Sequence, residues 1–137
     1  FGGYVVGFRP AWLKRIPLAP RVFMSRFLSS PIPAAEKVAF LEDYLEADGD
    51  VALGTVYTAV SKRATEVMPV AFEQITVPSL LVSGQYDQIT PAKLGKAAAD
   101  LNPEAIKYVE IGNTGHFPML EAPQIYLKEV QAFLKAA

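Results

Sequence analysis

PSLLVSGQYDQITPAKLGKAAADLNPEAIKYVEIGNTGHFPMLEA, residues 78–122, is the part of the sequence that determines the fold. Ser79–Ser83 is a short apolar run without polar alternation, which is typical of a strand covered on both faces in a parallel sheet. Ile106–Ile111 predicts a second strand, and a helical pattern lies between the two. The order strand, helix, strand predicts parallel strands joined by a right-handed crossover, so the fold class is α/β.

Two helices complete this part of the chain. Thr90 and Pro91 predict a helix start, with Thr90 as the cap and Pro91 at the first helical position. Pro123 predicts the start of a last helix by the same preference. Each helix has an apolar face: Leu94, Ala97, Ala98 and Leu101 in the first, and Leu127, Val130, Phe133 and Leu134 in the last.

The preceding residues have a different pattern. Residues 1–12 contain the short apolar run Tyr4–Phe8, which predicts a core strand, whereas residues 13–74 show helical signals. One amphipathic helix is expected from Pro33 to Ala47, and another is expected after Asp50. We therefore expect a core strand segment at 1–12, a helical cap or lid at 13–74 and an α/β core at 75–137. Two or three strands leave sheet edges unpaired, so further strands must come from elsewhere.

Composition excludes several classes of function. The 137 residues carry 13 Lys and Arg against 14 Asp and Glu, with no basic block, so we expect no nucleic-acid partner. The absence of cysteine excludes disulfides, thiolate metal sites and a cysteine nucleophile, and it suits a reducing cytoplasm, the expected location. No apolar run approaches the roughly 20 residues of a membrane-spanning helix, and no signal-peptide pattern is present.

Asp87 and His116, the only histidine, each follow one of the two predicted strands. Taken alone, Asp87 is more typical of a turn former and His116 of a loop or core histidine. They are 29 residues apart (116 − 87), which is one strand-to-strand unit, so their loops should be neighbours at the same sheet edge. The pair is therefore the candidate catalytic site.

The motifs in this part of the chain resemble the C-terminal half of an α/β-hydrolase. They are Val77-Pro78, the G-x-x-D loop from Gly84 to Asp87, Thr90-Pro91, Gly115-His116 and the L-E-x-P run from Leu120 to Pro123. The resemblance implies a hydrolase that cleaves an ester or related acyl bond of a small molecule with a serine nucleophile. Asp87 would be the triad acid and His116 the base, and no metal or cofactor would be needed.

The nucleophile of that family is missing, because no G-x-S-x-G occurs in the sequence, which begins with Phe1. We expect a piece of a longer hydrolase, inactive alone, whose N-terminal half supplies the nucleophile and oxyanion hole. Two interpretations of the first residues stay open. Phe1-Gly2-Gly3 follows the nucleophile, or Tyr4–Phe8 is the strand just before the lid.

Other functions remain compatible with the same fold. Epoxide hydrolases and dehalogenases place Asp at the nucleophile position, and lyases and cofactor-free oxygenases use the triad for proton transfer. A non-catalytic ligand receptor and one half of a split hydrolase are further alternatives.

Two groups of side chains belong either to the substrate site or to core packing: the lid aromatics Trp12, Phe23, Phe27 and Tyr57, and the residues after the histidine, Phe117, Met119 and Leu120. Three glycines are expected to shape the loops: Gly84, Gly112 and Gly115.

Overall fold

A computed structural model describes residues 25–46 and 62–136 of the chain. The described residues fall into two compact units: residues 26–31 with 67–136 form one, and residue 25 with residues 32–46 and 62–66 belong to the other. The strand expected at 1–12, the helix expected after Asp50, and Trp12, Phe23 and Tyr57 lie outside the described residues. No helix in the described ranges has the length and apolar character needed to span a bilayer.

The sheet of the described chain consists of two parallel strands, β1 (Ser79–Gly84) and β2 (Ile106–Ile111). Ser79 pairs with Ile106 and Gly84 with Ile111, so both strands end at the same edge. The expected strand positions and the parallel arrangement are confirmed. Because both strands run in one direction, the loops that begin at Gln85 and Gly112 leave the sheet side by side.

Three helices accompany the sheet: α3 (Ala92–Ala99), α4 (Pro118–Glu121) and α5 (Pro123–Ala136). Helix α3 packs against both strands, and α5 packs against β2. The buried apolar side chains of the described residues include Ala99, Ile106 and Ile111. The core therefore lies between α3 and the two strands.

The apolar side chains predicted to line α3 differ in their exposure in the described residues. Leu94 is 58% exposed and Leu101 40% exposed, while Ala99, which the prediction left out, is buried at 3%. Small side chains let a helix lie close to a sheet, and the Tyr108 hydroxyl on β2 donates a hydrogen bond of 3.0 Å to the Ala92 carbonyl. The start at Pro123 is confirmed for α5, although Leu127 and Leu134 are exposed in the described chain.

Within residues 25–46 and 62–78, two helices precede the sheet. Helix α1 (Ala34–Glu46) agrees with the helix expected from Pro33 to Ala47. Helix α2 (Lys62–Glu73) contains Pro69, which has no amide hydrogen to donate, yet the helix continues for a further turn. After α2 the chain is tied to the loop before β2, because the Asn102 side-chain amide donates to the Ile75 carbonyl at 2.8 Å. This contact sets the point at which the chain enters β1.

Candidate active site

The acid loop folds around the carboxylate of Asp87. Its Oδ1 accepts the backbone N–H groups of Ile89 at 2.7 Å and Thr90 at 3.0 Å, a local pattern typical of aspartate in turns. Its Oδ2 accepts the Thr90 hydroxyl at 2.8 Å. The side chain is only 4% exposed. The carboxylate is therefore fixed in position by its own loop.

The hydroxyl of Thr90 does not cap helix α3, contrary to the sequence prediction. The N-cap is Pro91, with φ −51° and ψ 136°, and no side chain caps the helix. A threonine beside an aspartate in a turn can donate either to the helix backbone or to the carboxylate, and here Asp87 is the acceptor. Thr90 thus belongs to the candidate site, although the sequence motif predicted it as a helix cap.

The electrostatics of the loop keep Asp87 ionised. Burial taken alone would raise the pKa of Asp87, because a charged carboxylate loses its hydration. The hydrogen bonds from His116, from the hydroxyl and amide of Thr90 and from the Ile89 amide favour the charged form and together lower the pKa below its ordinary value. The carboxylate is consequently an acceptor at neutral pH.

The histidine loop turns at Asn113, whose φ of 58° lies in the left-handed region. Asparagine tolerates this conformation better than most residues. No glycine of the described residues has a positive φ. Gly115 serves the loop by its small size, because an added Cβ would overlap the Phe27 carbonyl oxygen and lie 3.0 Å from the Ser29 nitrogen. The Thr114 hydroxyl closes the turn by donating to the Ile111 carbonyl at 2.8 Å.

Backbone contacts join the acid loop to the histidine loop. The amide of Gln85 donates to the Ile111 carbonyl at 3.0 Å, and that of Tyr86 donates to the Thr114 carbonyl at 2.8 Å. The Gln85 side chain accepts the Asn113 amide at 3.0 Å. Gly84 is required here for space, because an added Cβ would lie 2.8 Å from the Thr114 oxygen and overlap the Gly115 carbonyl. The two loops therefore form one unit.

Asp87 and His116 meet where these loops join. Their atoms Oδ2 and Nδ1 are 2.8 Å apart. Because the ionised carboxylate can only accept, Nδ1 carries the proton and a neutral ring keeps its lone pair on Nε2. The His116 side chain is 28% exposed, and its Nε2 has no hydrogen-bond partner within the described part of the chain. The arrangement can take a proton at Nε2 while the carboxylate stabilises the resulting charge.

A segment distant in sequence, residues 26–31, packs against the histidine loop. The His116 amide donates to the Phe27 carbonyl at 2.6 Å, and the ring centroids of these residues are 5.6 Å apart. Phe117 contacts both rings, with centroids 5.7 Å from Phe27 and 5.0 Å from His116. Of the side chains singled out in the sequence, Phe27 and Phe117 thus contact His116. Met119, from the same group as Phe117, is 41% exposed. Helical spacing gave no sign of this role for Phe27.

No group of three or more metal-ligating side chains occurs in residues 25–46 and 62–136. The site has one imidazole and one buried carboxylate, which pair with each other. An imidazole paired with a carboxylate can transfer a proton.

Comparison with solved structures identifies the fold. The chain is similar to an esterase, EaEST, from Exiguobacterium antarcticum, with a TM-score of 0.72 and 17% identity over 90% of this chain and 44% of that one. A putative lipase from Acinetobacter baumannii AYE gives a TM-score of 0.68 and 19% identity over 90% and 43%. A serine hydrolase involved in carbazole degradation gives 0.61 and 18% over 87% and 47%. The chain therefore has part of the α/β-hydrolase fold.

At the level of sequence, the chain resembles a hydrolase of Bacillus subtilis (strain 168), the uncharacterized hydrolase YugF. The two are 31% identical over 77 residues, which are 56% of this chain and 28% of the relative. No family model matches the sequence. The chain spans less than half the length of these relatives, which are described as an esterase, a putative lipase, a serine hydrolase and an uncharacterized hydrolase.

Proposed function

We propose that this chain supplies the acid and base of a serine hydrolase that cleaves an ester or related acyl bond of a small molecule. The observation that carries the proposal is the 2.8 Å contact between a buried Asp87 carboxylate and a partly exposed His116. In this function His116 takes the proton of the nucleophile through Nε2, and Asp87 holds the ring in the required tautomer.

The nucleophile and the oxyanion donors come, in this proposal, from polypeptide beyond this chain. The sequence has no cysteine and no G-x-S-x-G, and it spans 43–47% of the solved structures reported above. The intact protein would need no metal or cofactor, because the histidine generates the nucleophile. Its preference among esters depends on a pocket that this chain shares with the rest of the protein.

The test measures hydrolysis of p-nitrophenyl esters of different acyl lengths by the intact protein that contains this chain. His116→Ala should lower kcat by about a thousandfold or more, as expected when the base of a triad is removed. Glu104→Gln is the matched control, because Glu104 is exposed and lies before β2, away from the site. Unchanged turnover in His116→Ala would refute the proposal.

Active-site labelling separates the proposal from its alternatives on the same fold. A fluorophosphonate probe should label one serine of the intact protein, and the labelling rate should fall in His116→Ala but not in Glu104→Gln. A protein that does not react with the probe but opens epoxides or releases halide would indicate an aspartate nucleophile instead. Ligand-dependent thermal stabilisation without any product would indicate a receptor.

A further inference from the structure

We propose that Glu121 is a positioning residue for His116, an inference that rests on the proposed function. Glu121 ends helix α4 and lies in the L-E-x-P run that the sequence presents only as a helix start. Its side chain binds backbone groups on two segments that flank the imidazole, and none of its contacts involves the ring itself.

The Glu121 carboxylate accepts three backbone hydrogen bonds. Its Oε2 receives the N–H groups of Ser29 at 2.7 Å and Ser30 at 2.6 Å, and its Oε1 receives the N–H of Gly115 at 2.7 Å. Hydrogen bonds to an ionised acceptor are roughly twice as strong as neutral ones. Both oxygens are thus occupied by donors from chain segments about 90 residues apart in sequence.

These contacts hold the backbone of His116 from both sides. Gly115 precedes His116 directly, and the carbonyl that accepts the His116 amide belongs to Phe27, two residues before Ser29. The segments are also in direct contact, because an added Cβ at Gly115 would lie 3.0 Å from the Ser29 nitrogen. The Ser30 hydroxyl adds a hydrogen bond to the Asn113 carbonyl. Of the side chains in these contacts, Glu121 is the one whose charged carboxylate binds backbone groups of both segments.

Loss of the carboxylate should displace the ring of His116 through the two backbone segments that flank it. In Glu121→Gln only one side-chain oxygen can still accept, and the amide nitrogen faces a backbone N–H that it cannot bind. A misplacement of about 1 Å at a catalytic group can cost about a hundredfold in rate. We therefore expect kcat to fall by about tenfold to a hundredfold, with KM changed by less than about twofold.

The experiment compares wild type, Glu121→Gln and the charge-matched control Glu104→Gln in the intact protein, by ester kinetics and by proton NMR. The Nδ1 proton of His116 should give a downfield resonance in wild type and Glu104→Gln, as expected for a strong hydrogen bond to Asp87. In Glu121→Gln that resonance should move upfield or broaden. Wild-type kcat together with an unmoved Nδ1 resonance in Glu121→Gln would overturn the inference.

Two further measurements keep the outcome clear. If wild type hydrolyses no ester, the proposed function fails, and the Nδ1 resonance still decides the role of Glu121. If Glu121→Gln does not fold, hydrogen exchange of the wild-type protein decides instead. The amides of Ser29, Ser30 and Gly115 should then exchange slowly. Rapid exchange at all three would refute the positioning role of Glu121.

Discussion

Substitution of Gly84 by alanine should separate the acid loop from the histidine loop. The new Cβ would overlap the carbonyl oxygen of Gly115 and lie 2.8 Å from the Thr114 oxygen, where ordinary contact begins at 3.4 Å. These are backbone atoms, so no side chain can rotate away, and the loops must part by about 1 Å. The hydrogen bond of 2.8 Å from the Tyr86 amide to Thr114 would be lost in the process.

The same displacement acts on Asp87 and His116, the proposed catalytic pair. Asp87 follows Gly84 by three residues, and His116 follows Gly115 directly, so the 2.8 Å contact between them should lengthen to about 3.8 Å. At that distance it is no longer a hydrogen bond. We expect kcat for ester hydrolysis to fall by about a hundredfold, and the free energy of unfolding to fall by about 1–3 kcal/mol.

Gly112→Ala provides the matched control, because its Cβ would meet only the Gln85 side-chain oxygen at 3.8 Å. The assay measures kcat, KM and thermal unfolding for both variants of the intact protein. Gly112→Ala should resemble wild type in all three. A folded Gly84→Ala protein with wild-type kcat, or equal losses in both variants, would refute the argument that Gly84 sets the loop spacing.

Three other predictions concern single contacts. Thr90→Val removes the hydroxyl that donates to Asp87, so an NMR titration should find the pKa of Asp87 raised towards its ordinary value. The free energy of unfolding should fall by about 1–2 kcal/mol. Thr90→Ser keeps a hydroxyl and should change neither quantity. Because the pKa of Asp87 is lower in the folded state, its stabilising effect is present above the unfolded pKa and is lost as pH falls through the folded value. As the pH falls below about 4, the ordinary pKa of a carboxyl group, denaturant titrations should therefore show a larger loss of stability in wild type than in Asp87→Asn. Asn102→Ala removes the bond to the Ile75 carbonyl and should lower the free energy of unfolding by about 1–2 kcal/mol, with kcat unchanged; a kcat loss without destabilisation would contradict it.

The sheet and the pairing of Asp87 with His116 could be predicted because their causes are local. Each strand is an apolar run bounded by proline or glycine, and the boundaries found in the structure agree with the expected ones. A parallel order then requires that both strands end at one edge, so the two loops had to be neighbours. No knowledge of distant contacts was needed for this step.

Thr90 shows a limit within the same loop. A threonine before a proline fits a helix cap, but its hydroxyl has a second acceptor three residues back, and the sequence pattern does not say which one is used. The structure assigns the hydroxyl to Asp87. The exposed Leu94 reveals a similar limit, because burial depends on what covers a helix and not only on its spacing.

Residues 26–31 could not be predicted as part of the site, because their contacts span 57 to 92 residues. Periodicity describes neighbours three or four residues apart, and strand order describes loops about 30 apart. Neither pattern contains the separation between Ser29 and Glu121. Only the folded structure brings this segment to the histidine loop.

The distant segment explains how His116 can be oriented before any substrate arrives. Asp87 fixes Nδ1, the Phe27 carbonyl fixes the backbone amide, and the rings of Phe27 and Phe117 contact the imidazole at edge-on angles of 62° and 78°. These restraints act in different directions, so the ring cannot turn without breaking at least one of them. The conformational entropy of the imidazole is then lost during folding, and in the proposed function it would not have to be lost at the moment of proton transfer.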